Sequence, residues 1–185
     1  MKVRQGFVSN SSSTSFVFIF KGESPENLYD SIRNHYDYFD ISFYDYENNC
    51  HKCNAEDVIN SIKSVLVDEI GEEYQCDNTS IVSIDDFVDN LERELNFLEK
   101  DIEEINEDRD SFMINTYMQE IFDYVGKISN IKKAKEKGFN SVLKIDFGDN
   151  HGHISGKGIG MAMDYEGRNI YIKKDDLIVF TDQNR

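Results

Sequence analysis

The apolar positions of this chain fall into three patterns, and each predicts a kind of element. Phe16-Val17-Phe18-Ile19-Phe20 is an unbroken run of aromatic and β-branched residues. It reads as a central strand from Thr14 to Phe20, buried on both faces. Lys21-Gly22-Glu23 turns the chain. Ser24-Pro25-Glu26-Asn27 has the form of a helix start, with Ser24 at the N-cap, Pro25 at the first helical position and Asn27 at N3. Leu28, Ile32 and Tyr36 then give one apolar stripe. Ile41, Phe43 and Tyr44 suggest a weaker strand before Asn48-Asn49-Cys50. Asn54 caps a second helix, whose first turn carries Glu56 and Asp57, acids favoured at the positive helix end. Val58, Ile62, Val65, Leu66 and Ile70 form its apolar face, and Gly71 ends it. Residues 72–80 read as a polar connection.

A longer period follows, opened by Ser83 or Asp85. Phe87, Leu91, Leu95, Leu98, Ile102 and Ile105 recur at three- and four-residue steps, a heptad-like face. After a break at 106–110, Ile114, Met118, Ile121, Phe122, Val125, Ile128 and Ile131 carry another helix towards Gly138. The two segments predict an antiparallel helical hairpin. Charge agrees: residues 85–110 hold twelve acids and three bases, whereas 127–137 hold five lysines and one glutamate. In an antiparallel hairpin the basic end returns beside the acidic start. Exposed pairs contribute about 0–1 kcal/mol each, so they favour the register more than they hold the fold.

The last third alternates with period two. Val142, Ile145 and Phe147 mark a strand, and 148–158 is a Gly/His/Asn loop. Residues 159–165 and 169–172 read as strands about the turn Glu166-Gly167-Arg168, with Leu177 to Phe180 as a final edge strand. There is no internal repeat. Together these patterns predict an α+β fold with a mixed, largely antiparallel sheet of four to six short strands. Two helices cover one face, and a long acidic helical hairpin projects. The chain reads as one domain over 1–185, with 84–137 as a helical-hairpin insertion.

Composition narrows the class. A chain of 185 residues suits one domain with a sizeable core, and 39% apolar residues with thirteen Phe and ten Tyr is too much for disorder. No apolar run approaches a membrane span, and none precedes the serines as a secretory signal would require. Three cysteines, two of them close neighbours, fit a reducing cytoplasm better than a secreted disulfide framework. The formal net charge of −16 argues against direct nucleic-acid binding through the bulk of the surface. It leaves simple solubility, or an acidic decoy that fills the basic groove of another protein.

Candidate chemistry is sparse. Cys50-His51-Lys52-Cys53 is a Cys-x-x-Cys knuckle, and Cys76 follows the next helix. Such a pair presents thiolates to a tetrahedral metal, so Cys50, Cys53 and Cys76 are candidate zinc ligands, with His51 or a distant His completing the set. Two other readings stay open: a redox pair, with Cys53 just before a helix N-terminus, or two unrelated thiols. His151 and His153 in Asp149-Asn150-His151-Gly152-His153 would share one side of an extended segment and offer a second metal region. Gly156-Lys157-Gly158-Ile159-Gly160 lacks the P-loop pattern and precedes a strand, and no Gly-x-Ser-x-Gly elbow is present.

The first sixteen residues are Met-Lys-Val-Arg-Gln-Gly-Phe-Val-Ser-Asn-Ser-Ser-Ser-Thr-Ser-Phe. This string resembles an N-terminal signature of uncharacterised phage and prophage proteins, Met-Lys-x-Arg-x-Gly-Phe-Val-Ser-Asn-Ser-Ser-Ser-Ser-Ser-Phe. Lys2, Arg4, Gly6 to Ser13, Ser15 and Phe16 match, and Thr14 departs while keeping a hydroxyl. The resemblance implies a genetic setting rather than an activity. The six hydroxyls between Ser9 and Ser15 have two readings: a strip recognised or modified by a partner, or caps on backbone groups as the chain enters its first strand. Two function classes follow. One is a non-enzymatic phage accessory protein in the bacterial cytoplasm. It would bind a host protein, such as a defence or nucleic-acid-binding enzyme, as a counter-defence or host-takeover factor. The other is a small metal-dependent enzyme using the Cys50/Cys53 and His151/His153 regions.

Overall fold

A computed structural model describes residues 13–44, 50–66, 80–104, 111–147 and 171–184. The first strand, β1 (Ser13–Phe20), contains the apolar run and the last of the serines. Helix α1 (Pro25–Asn34) follows, then a one-turn helix at Tyr36–Tyr38, and a hairpin of β2 (Ile41–Tyr44) with β3 (Cys50–Cys53). Next come α2 (Ala55–Leu66), β4 (Ile81–Ser83), α3 (Ile84–Glu104) and α4 (Ser111–Glu136). β5 (Ser141–Phe147), β6 (Tyr171–Lys173) and β7 (Leu177–Asn184) complete the set. The fold is α+β. Its main sheet has five strands in the order β4-β5-β1-β7-β6, and every described pairing is antiparallel rather than mixed.

β1 lies in the middle of this sheet, and no side chain from Phe16 to Phe20 is more than 1% exposed. Alternation sorts them. Phe16, Phe18 and Phe20 join the core of α1 and α2 through Leu28, Ile32, Val58, Ile59 and Ile62. Val17 and Ile19 point the other way, on to Ile84, Phe87, Val88 and Leu91 of α3 and Ile128, Ile131 and Ala134 of α4. Burial on both faces is why the strand is apolar without interruption. It also corrects one expectation. The helical hairpin does not simply project, because its base covers the second face of the sheet. Only its outer part extends beyond.

Two strands differ from the sequence pattern. β7 is not an edge strand: it pairs with β1 over its whole length, from Ser13↔Asn184 to Phe20↔Leu177. The edges among the described residues are β6 and β4. β4 was concealed next to the polar connection, because three residues are too few to show a period. The turn about 166–168 and the strand at 159–165 lie outside the described residues.

The helix starts follow their caps. Asn27 Oδ1 accepts from the Ser24 backbone N–H at 3.2 Å and from its hydroxyl at 3.0 Å. Asn54 Oδ1 accepts from the N–H groups of Glu56 at 2.9 Å and Asp57 at 3.2 Å, while Asp57 Oδ2 accepts from the Asn54 N–H at 3.0 Å. This is a reciprocal box that satisfies the orphan donors of the first turn. Of the two openings considered for α3, Ser83 is the cap: its Oγ accepts from the Asp86 N–H at 3.0 Å.

Candidate functional site

The cysteine knuckle lies on β3, where Cys50 is in register with Tyr44 and Cys53 with Ile41. A strand alternates its faces with period two, so positions three apart fall on opposite sides. Cys53 is a free thiol, buried against the core that includes Phe39, Ala55 and Ile59. Burial pushes this thiol up to about 11, with the negative charges of Asp57 and Asp40 adding to the shift. It is therefore protonated at neutral pH, whereas a zinc ligand or redox nucleophile works as thiolate. Cys76, His151 and His153 lie outside the described residues. Among the described residues no group of three or more His, Cys, Asp or Glu is placed to hold a metal.

A polar cluster that the sequence did not suggest joins α1 to the β6–β7 turn. His35 Nε2 lies 2.7 Å from Asp176 Oδ1, and Ser31 also hydrogen-bonds this carboxylate. Partial burial pushes the Asp176 carboxyl up, but the bonds from His35 and Ser31 and the charge of His35 outweigh it and hold it below its ordinary value. The carboxylate, not the imidazole, holds the serine hydroxyl. Activation of a serine nucleophile needs the opposite order. This cluster is a clamp.

The hairpin follows the charge pattern. Lys132 Nζ donates to Glu92 Oε1 at 2.7 Å, Lys135 to Asp85, and the Tyr124 hydroxyl to Glu94 Oε2 at 2.8 Å. Near the sheet the helices bury Leu91 and Ile128. Farther out burial fades: Phe97 is 67% and Phe122 66% exposed, and Met118 and Val125 are also exposed. Met118, Phe122 and Val125 stand at i, i+4 and i+7, which places them on one line of α4. On α3, Asp89, Glu94, Glu99 and Asp101 are all exposed, and Val125 shares a groove with Glu92, Glu99, Lys132 and Lys133.

A second surface is of the opposite sign. Between α4 and the β7–β6 half of the sheet lies a groove of about 970 Å³. Its apolar wall includes Ile19, Ile131, Ala134, Phe139, Ile178 and Phe180. Among the described residues that line it, Lys21, Lys127, Lys133, Lys137, Lys173 and Lys174 stand against two carboxylates, Glu136 and Asp175. The charge pattern of 127–137 matches its lysines to the acidic helix and does not reveal this groove. Lys132 and Lys135 share one side of α4 at i, i+3 and pair with α3, while Lys133 and Lys137 share another at i, i+4 and line the groove. No protein-family model, curated protein or solved structure matches the chain. What the fold and its surfaces define is a helix-covered antiparallel sheet carrying two exposed surfaces of opposite charge.

Proposed function

We propose that the chain is a phage or prophage accessory protein that acts by binding a host protein through the outer half of its acidic helical hairpin. The observation that carries this reading is the set of exposed apolar side chains on the acidic hairpin, Met118, Phe122 and Val125 along α4 and Phe97 on α3. An exposed apolar line rimmed by charge is characteristic of a protein-binding surface. Its partner needs an apolar centre and a basic rim, the complement found in nucleic-acid-binding grooves. The N-terminal resemblance supplies the genetic setting, and the bacterial cytoplasm is the compartment that goes with it and with an odd number of cysteines. Among the described residues no helix is long and apolar enough to cross a membrane.

The test uses two variants of the full chain, Phe97→Ser with Phe122→Ser, and Glu99→Lys with Asp101→Lys. These positions are solvent-exposed, so melting temperatures should stay within a few degrees of the parent. A host protein captured by the parent and identified by mass spectrometry should then be purified and titrated against all three. Loss of binding by at least about tenfold in both variants supports the reading. Parent-like affinity in both overturns it.

A further inference from the structure

We infer that the lysine-lined groove is a binding site for a small, multiply charged aromatic anion, with a nucleotide as the class that fits it. This goes beyond the hairpin reading and does not depend on it. β6 builds one wall. Tyr171 and Phe180 are cross-strand partners in the β6–β7 register, so both present their rings on the same face of the sheet. Ile172 turns away into the core beneath α1 and α2, whereas Tyr171 and Lys173 lie on the groove side. Tyr171 is 68% exposed, an open platform for a flat ring. Across the groove α4 contributes Lys133 and Lys137. Among the described residues Lys133, Lys137 and Lys173 take part in no ion pair, in a chain whose formal net charge is −16. An unpaired cluster of one sign, set beside an aromatic pair, matches a ligand with a ring and a multiply charged tail.

The size of the anion follows from screening. Charges separated by more than about 8–10 Å are largely screened at physiological salt, so a ligand confined to the groove is governed by the local lysines. A long polyanion or an anionic membrane extends beyond the groove and meets the acid excess of the rest of the chain. The volume of about 970 Å³ is also that of a small-molecule site.

The probe is a fluorescent ATP analogue carrying an N-methylanthraniloyl group, titrated into the full chain. Saturable binding is expected, displaced by unlabelled ATP and at least about tenfold less well by adenosine or by inorganic tripolyphosphate. Lys133→Gln with Lys137→Gln and Lys173→Gln should weaken it by about tenfold or more, and Tyr171→Ala should weaken it where Tyr171→Phe does not. Lys132→Gln with Lys135→Gln removes two positive charges from the α3 side and should leave affinity within about twofold. No saturable binding, equal loss in the Lys132/Lys135 variant, tripolyphosphate matching ATP, or tighter binding of a single-stranded oligonucleotide overturns the inference.

Discussion

At Gly22 the chain leaves β1 with a φ of 105°, a region that side chains other than glycine rarely occupy. Its N–H donates to Asn140 Oδ1 at 2.8 Å, and its carbonyl accepts from the Ser141 hydroxyl at 2.6 Å. A Cβ added here would collide with Cγ of Asn27, the N3 residue whose side chain holds the Ser24 N-cap of α1. Gly22→Ala should therefore cost about 2 kcal/mol, from backbone strain and a displaced cap, and lower the melting temperature by about 4–8 °C. An unchanged thermal transition would refute this account. Cys53 supports a second expectation. Buried and held protonated, it should be alkylated by iodoacetamide at about pH 8 at least tenfold more slowly in the native protein than in denaturant, read at that residue by mass spectrometry. Fast native labelling would show an open, thiolate-forming knuckle. The sequence displayed the Cys-x-x-Cys spacing but not the strand beneath it, and the strand decides whether such a spacing can converge.

Among the elements, α1 and the β6–β7 turn are held together by Asp176. Its folded carboxyl titrates below the ordinary value, so its contribution to stability is complete at neutral pH and is lost as the pH falls through the folded value. Asp176→Asn should lower stability at pH 7 and flatten the acid limb of a stability-against-pH curve below about pH 4. An acid limb parallel to that of the parent would remove Asp176 from it. Helices were the elements most legible in the sequence, because caps and stripes are local signals: Ser24, Asn54 and Ser83 each mark a start that the structure keeps. β1 was legible from its apolar run. β4 and the inner position of β7 were not. β4 is too short to show a period, and no strand's own sequence records which neighbours it will have. The groove was illegible for the same reason, since Tyr171, Lys173, Lys133 and Lys137 converge only through the pairing order of the sheet.

For the whole molecule, 36 acidic against 20 basic residues leave the folded state repelling itself. The acidic hairpin concentrates that strain, and only part of it is relieved by Lys132–Glu92 and Lys135–Asp85. Raising salt from about 10 mM to about 150 mM should therefore raise the melting temperature, because screening reduces repulsion more than it weakens a few exposed pairs. A fall in melting temperature over this range would mean that the pairs outweigh the net charge.

The middle position of β1 also bears on the birth of the protein. A ribosome makes Phe16 to Phe20 well before the two strands that flank them, 141–147 and 177–184. Until those strands emerge this aromatic ribbon has two unsatisfied edges, the profile of a segment that invites aggregation. Chains stopped before Leu177 should accumulate in the insoluble fraction or on chaperones, and the finished chain should escape both. The acidic stretch between them, emerging in the interval, would then keep the nascent chain in solution until both flanking strands arrive.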